Sequence, residues 1–281
     1  EASGGVIQIF TRSGEGPLRV NARTGYGSYN TTDSSVGIAG GTDLVSYSVQ
    51  AGYANTDGFN AINNRKNLFY NRDQDGYYNR NLSASFAVRP AKGQELGVNV
   101  LVSNGTNQYD ANDFSALGAA KNYSSDQNLG TYSIYSRNRL SQAWNSTVRL
   151  GRSTDDTRDY AGNVRDSKFR TDMNLLSWQN DIKLPVGEAL LAYEYLKQMV
   201  SGTTDYAVTE RTINSFLAGW NGNIEQHRVQ LSLRRDDNSQ FGDQTTGSAS
   251  YGYQFTPEWR AHASYGTAFR APTFNELYFP K

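Results

Sequence analysis

The stretch "RDQDGYY", residues 72–78, sets Asp73 and Asp75 one residue apart, directly ahead of Gly76. Two carboxylates at that spacing on a turn can be offered together to one hard cation, and calcium takes roughly six to eight oxygen ligands. An EF-hand is excluded, because no glutamate stands at the twelfth position and the flanks read as strands. A plainer reading stands beside the cation site: Asp and Gly dominate turns for conformational reasons, and by residue type alone these are ordinary turn aspartates. Other polar groups suggest less. Asp155 and Asp156 in "TDDT" and the pair Asp236–Asp237 resemble acid/base pairs, but adjacent residues at a strand end point to opposite faces. They read as solvated loop charges. His227 falls on an apolar face near a strand start, as an interface residue would. His262 and Ser264 share a face, yet no nucleophile motif surrounds them.

What must position these groups is a set of strands. Apolar residues recur with period two in "LRVNARTGYG" (Leu18, Val20, Ala22, Tyr26) and in "VSYSVQAGY" (Val45, Tyr47, Val49, Ala51, Tyr53). The same alternation returns at 82–88, 96–102, 144–150, 176–182, 191–195, 216–220, 229–233, 249–255 and 259–269, with weaker segments at 36–38 and 132–134. This predicts about thirteen strands. The opposite face carries Arg, Asn, Ser, Gln and Gly nearly throughout. Short links such as 40–43, 89–95, 141–143, 185–188, 221–225 and 256–258 alternate with long polar ones at 55–77, 104–128, 153–168, 199–211 and 236–245. Outer-membrane barrels have short periplasmic turns and long external loops in that order, whereas a sandwich has no reason to alternate so regularly. Aromatics near strand ends, among them Tyr26, Trp144, Trp220 and Trp259, suit an interfacial girdle. The predicted fold class is therefore all-β, an antiparallel transmembrane β-barrel. Single-chain bacterial barrels close with an even number of strands, and "APTFNELYFPK" does not read as a closing strand, so the chain reads as part of a longer barrel.

Composition agrees with that class. The 281 residues hold 27 basic and 27 acidic side chains, which argues against a nucleic-acid surface. No cysteine is present, which excludes disulfides and thiolate metal sites, and two histidines are too few for a histidine-built zinc centre. A mean hydropathy of −0.67 fits a barrel as well as a soluble protein, because only alternate residues of each strand meet lipid. The opening "EASGGVIQIFTRSG" has neither the basic start nor the apolar core of a signal peptide.

Particular segments carry a resemblance. "EASGGVIQIFTRSG" is similar to the end of the plug domain of TonB-dependent outer-membrane receptors, and "SYGTAFRAPTFNELY" (264–278) resembles a characteristic barrel segment of the same superfamily. "RRDDNSQFG" (234–242), "GYANTDGFNA" (52–61), "RDQDGYY" and "GTNQYDA" (105–111) most resemble the branch that takes up cobalamin. The resemblance runs along nearly the whole chain. It implies residues 1–16 as the C-terminal remnant of a plug and 17–281 as the first part of a plugged 22-strand barrel. It also implies a monomeric multi-pass protein of the bacterial outer membrane. Such a receptor is a transporter and not an enzyme: it binds cobalamin outside and releases it inward when TonB pulls on a plug segment absent from this sequence. By the same resemblance, calcium orders the external loops. Asp73 and Asp75 fall on ligand positions of one loop, and Tyr109, Asp110 and Asp126 on those of the next. Asn60 stands where the family has aspartate, so the site is one charge short. Ser167 falls on a ligand-contact position. No redox cofactor is implied. The alternatives are a ferric-siderophore receptor of the same superfamily and, more remotely, a barrel enzyme or a soluble β adhesin.

Overall fold

The computed structural model describes residues 14–60, 62, 64, 66, 67, 70–111 and 122–278. Among these, thirteen strands pair in sequence order into one antiparallel sheet. They are β1 (Arg19–Gly27), β2 (Thr31–Gly41), β3 (Val45–Phe59), β4 (Asp75–Val88), β5 (Gln94–Tyr109), β6 (Tyr123–Arg139) and β7 (Trp144–Ala161). Then follow β8 (Val164–Lys183), β9 (Glu188–Gly202), β10 (Glu210–Ile224), β11 (His227–Asn238), β12 (Gly242–Gln254) and β13 (Arg260–Gly266), and a short helix α1 (Phe274–Tyr278). No helix of the described residues is long and apolar enough to cross a membrane.

The register turns the period-two pattern into two continuous surfaces. Ile38 stands opposite Val49, Val49 opposite Ala84, Ala84 opposite Val100 and Val100 opposite Tyr132. A second row runs through Val98, Ile134, Leu150, Leu176 and Tyr195. These side chains are not covered: Ile134 is 52% exposed and Leu150 48%. Only Ala87, Val200 and Phe274 are buried hydrophobic residues among those described. A β-sandwich would bury its apolar face in a core; a barrel wall turns that face to lipid. The other face is polar. Arg149, Ser177, Glu194, Ser215 and Asp236 are successive cross-strand neighbours there. Arg234 bonds Glu194 at 2.9 Å and Asp236 at 2.8 Å, and donates to Ser215 as well. A buried charge persists only when paired in this way.

At the end of the short turns, tryptophans and a histidine anchor the apolar belt. Trp144 Nε1 donates to Asn180 Oδ1 (2.9 Å), Trp178 Nε1 to Ser146 Oγ (3.0 Å) and Trp220 Nε1 to the Val186 carbonyl (3.2 Å). His227 begins β11 on the apolar face, with Nδ1 2.7 Å from the Tyr251 hydroxyl. Rings with one polar atom satisfied suit a membrane boundary.

Three of the five expected long connections are corrected. Only residues 162–163 join β7 to β8, 203–209 join β9 to β10, and 239–241 join β11 to β12. The segments 60–74 and 110–122 remain long. The reason is strand length: β8 has 20 residues, whereas a span needs about 9–11. Beyond the apolar belt both faces turn polar, hydrophobic alternation fades, and ladder pairing continues. Asp156 and Asp236 therefore lie within strands, 3% and 5% exposed, and not in solvated loops.

Two further features frame the wall. Gly14 is buried so tightly that a Cβ there would lie 1.8 Å from the Tyr47 carbonyl oxygen, and the Gly41 amide donates to the Gly16 carbonyl at 2.8 Å. Residues 1–13, on which the expected plug remnant mainly rests, lie outside the described residues. At the end of the long loops, the buried Arg211 donates to Gln198 Oε1 (2.8 Å) and to the Pro272 carbonyl (2.9 Å), and lies over the rings of Phe241 and Phe274.

Candidate metal centre

The polar cluster of interest sits where two long connections leave the wall. β3 reaches it through an irregularity between Thr56 and Phe59, and Gly58 has a φ of 68° there. A Cβ at Gly58 would lie 1.8 Å from the Asp75 carbonyl oxygen, so glycine is required by both space and conformation. This close approach fixes the first residue of β4 against the last turn of β3. Gln108 then ties β5 to the same place: its Oε1 accepts the Gly76 amide at 3.0 Å. Asp110 follows Tyr109, the last residue of β5.

As a result, carboxylate oxygens of Asp73, Asp75 and Asp110 lie within 4.8 Å of one another, although Asp110 is 35 positions beyond Asp75 in sequence. All three are half-buried. Asn71, buried, donates from Nδ2 to Asp73 Oδ2 (2.7 Å) and to Asn122 Oδ1 (2.9 Å), so it joins the roots of the two long connections. Asn60 donates its own amide to the Asn71 carbonyl.

The remaining oxygens are the informative ones. Among the described residues, four buried side-chain oxygens have no hydrogen-bond partner, and three of them are Asn60 Oδ1, Asp73 Oδ1 and Asp110 Oδ2. Buried polar atoms are ordinarily satisfied, and orphaned acceptors gathered beside one acidic cluster are the arrangement that a cation would satisfy. Electrostatics point the same way. Burial, then the Asp75 charge, push the Asp73 carboxyl above its usual range. Burial, then Asp75 and Asp73, do the same to Asp110. A bound divalent ion would reverse both penalties. The donor set is entirely oxygen, with no sulfur or imidazole, which suits calcium or magnesium over zinc or copper.

The residues named from the sequence thus separate. Asp73, Asp75 and Asp110 come together, and Asn60, bonded to the Asn71 carbonyl, keeps an orphaned oxygen. Tyr109 ends β5 opposite Tyr123, and the two rings lie 6.0 Å apart. Asp126 stands apart from the acidic group. It lies inside β6, accepts from Thr106 Oγ1 at 2.7 Å, and is the cross-strand neighbour of Arg158 on the face that continues the apolar belt. Ser167 lies within β8 and not in a loop, donating to Asp159 Oδ2 at 2.6 Å. Asn71 and Gln108, which hold the cluster in place, were missed in the sequence; Asn71 precedes Asp73 by two residues, the one signal that marked it.

A family model described as "TonB dependent receptor-like, beta-barrel" matches residues 11–281. The chain is 29% identical over 282 residues to a protein of Photobacterium profundum named vitamin B12 transporter BtuB, with 100% of this chain and 45% of that one covered. It therefore spans about half the length of the curated relatives it matches. Among solved structures, a ferric enterobactin receptor variant of Pseudomonas aeruginosa in complex with enterobactin superposes with a TM-score of 0.77 at 18% identity, covering 98% of this chain and 48% of that one. The siderophore receptor PirA of the same organism gives 0.74 at 18%, covering 97% and 47%. At that identity the structural likeness speaks for the fold.

Proposed function

Since the chain belongs to the TonB dependent receptor-like β-barrel family, we propose that the protein it forms part of carries cobalamin across the bacterial outer membrane. TonB would drive release, acting through a plug of which residues 1–16 are the last segment. Residues 17–281 would be the first part of a plugged barrel that acts as a monomer. Calcium held by Asp73, Asp75 and Asp110, with Asn60 as a neutral oxygen donor, would order the 60–74 and 110–122 segments. When bound, the ion supplies positive charge and fixed coordination. The chain's own residues do the rest: Asn71 joins the two roots, and Gln108 holds Gly76 on β5. Loops ordered in advance have less conformational freedom to lose when a ligand arrives, which tightens binding.

The observation that carries this reading is the three-carboxylate cluster with its orphaned oxygens at the root of both loops, in a chain whose curated relatives are named for vitamin B12 transport. A ferric-siderophore receptor of the same superfamily is the second reading. Competition binding on the full-length receptor in outer-membrane vesicles, with and without a calcium chelator, separates the two. Cobalamin should bind, and more tightly with calcium. Tight binding of an iron chelate with no cobalamin binding in either condition would leave the family standing and remove the substrate.

A further inference from the structure

We propose that the outward face of β7 and β8, just above the apolar belt, is a docking site for the phosphorylated headgroup of an outer-leaflet lipid. Strand parity sets the face. Arg152, Asp156 and Arg158 on β7, and Lys168, Arg170 and Asp172 on β8, share the side of Leu150 and Leu176, which are themselves cross-strand neighbours in the belt. Above Leu150 and Leu176 the same face changes from hydrocarbon to charge, as it must where lipid tails give way to headgroups.

The charges are layered. Asp156 accepts from Arg158 Nε (3.0 Å) and Arg170 (3.5 Å), with Lys168 Nζ at 3.9 Å; Asp172 takes Arg170 Nε (2.7 Å) and Arg152 (3.2 Å). The acids form the floor, their side chains 4% and 15% exposed, while Arg152 and Arg158 stand 57% and 41% exposed above them. What approaches from outside meets four cations resting on two carboxylates. The flanking Asp126, half-buried and already bonded to Thr106, leaves positive charge in excess. Guanidinium groups suit phosphate because their planar fork can donate two parallel hydrogen bonds.

The tail of such a lipid also has a place. An apolar groove of about 410 Å³, lined by Phe86, Val98, Ile134, Val148 and Leu150, lies on the same face. Leu150 is the outward residue immediately before Arg152. A headgroup surface that continues into an acyl groove fits an anionic amphiphile better than a free anion or an acidic protein. This reading rests on the barrel wall and is independent of which nutrient the receptor carries.

The test is native mass spectrometry of the full-length receptor titrated in detergent with diphosphorylated lipid A and with the same lipid stripped of its phosphates. The phosphorylated form should bind at least tenfold more tightly. The double variant Arg152→Gln/Arg158→Gln should lose that preference, whereas Arg235→Gln, an exposed outward cation on β11 paired with Asp243, should keep it. Heat-modifiable gel migration reports whether each barrel is folded. Equal binding of the two lipids by the unmodified receptor would overturn the proposal without any variant. So would full displacement of the lipid by millimolar inorganic phosphate, or an unchanged preference in the folded double variant. If that variant does not fold, Lys168→Gln alone should still reduce the preference measurably.

Discussion

Replacing Asp110 by asparagine should weaken calcium binding while making the calcium-free loops harder to cleave. The two effects have opposite signs because they arise from different partners. A carboxylate about 2.4 Å from a divalent ion contributes about 3.5 kcal/mol even at the dielectric of water. Removing the charge therefore weakens binding by roughly 300-fold at minimum, since about 1.4 kcal/mol is a factor of ten. Without the ion, Asp110 faces two other carboxylates within 4.8 Å. Each such repulsion amounts to about 0.9 kcal/mol in a water-like medium and about 3.5 kcal/mol at a protein-like dielectric. Asparagine relieves it and keeps an oxygen and the side-chain shape. Calcium titration of the full-length receptor by calorimetry, with limited proteolysis of the 60–74 and 110–122 segments, measures both. A dissociation constant within threefold of the unmodified receptor would refute the cage. So would faster cleavage of the variant in chelator.

Calcium affinity should also depend on pH. Because the Asp73 and Asp110 carboxyls titrate above the ordinary carboxylate value of 3.8, protons should begin to displace calcium at a higher pH than an isolated aspartate would allow; calcium titrations across pH 4 to 7, about the range in question, check this. In the calcium-free protein the sign reverses: a raised pKa favours the protonated form, so loop protection should increase as pH falls through those values and be lost as it rises. Arginine at Val100, on the apolar face, should cost about 2–4 kcal/mol and impair assembly, whereas arginine at Asn99, which faces Ser133 on the polar side, should be tolerated; equal folded yields would overturn the register. Arg211→Ala should free the segment around α1, removing the hydrogen bond to Pro272 and the stacking on Phe274, and protease should then cut near residues 270–278 several-fold faster.

The wall was legible in the sequence because lipid imposes the alternation that a reader can see. Val49, Val229 and Leu231 each stand between two polar neighbours, as they do where only one face of a strand meets an apolar medium. Higher up, at "RSTDDTRDYAGNVRDSKFRTD", both faces of β7 and β8 are polar and the signal vanishes, so a two-residue turn read as a long loop. The candidate cage was half legible. Asp73 and Asp75 announce themselves by spacing, whereas Asp110 arrives through pairing of β4 with β5. Asp126 illustrates the limit. Its place depends on parity within β6, and no spacing rule reveals on which side of a strand an aspartate falls until the register is known.

The seat of Gly14 has a mechanical consequence. A strand pulled from its end yields one hydrogen bond at a time. The chain ahead of β1, however, is wedged against the backbones of Tyr47 and Gly40 and tied by Gly41 to Gly16. Tension applied upstream is therefore carried first into the β2–β3 hairpin and shared across several strands before it reaches β1. The barrel has a cleat at this point. Residue 14 must lack a side chain for the rope to lie in it.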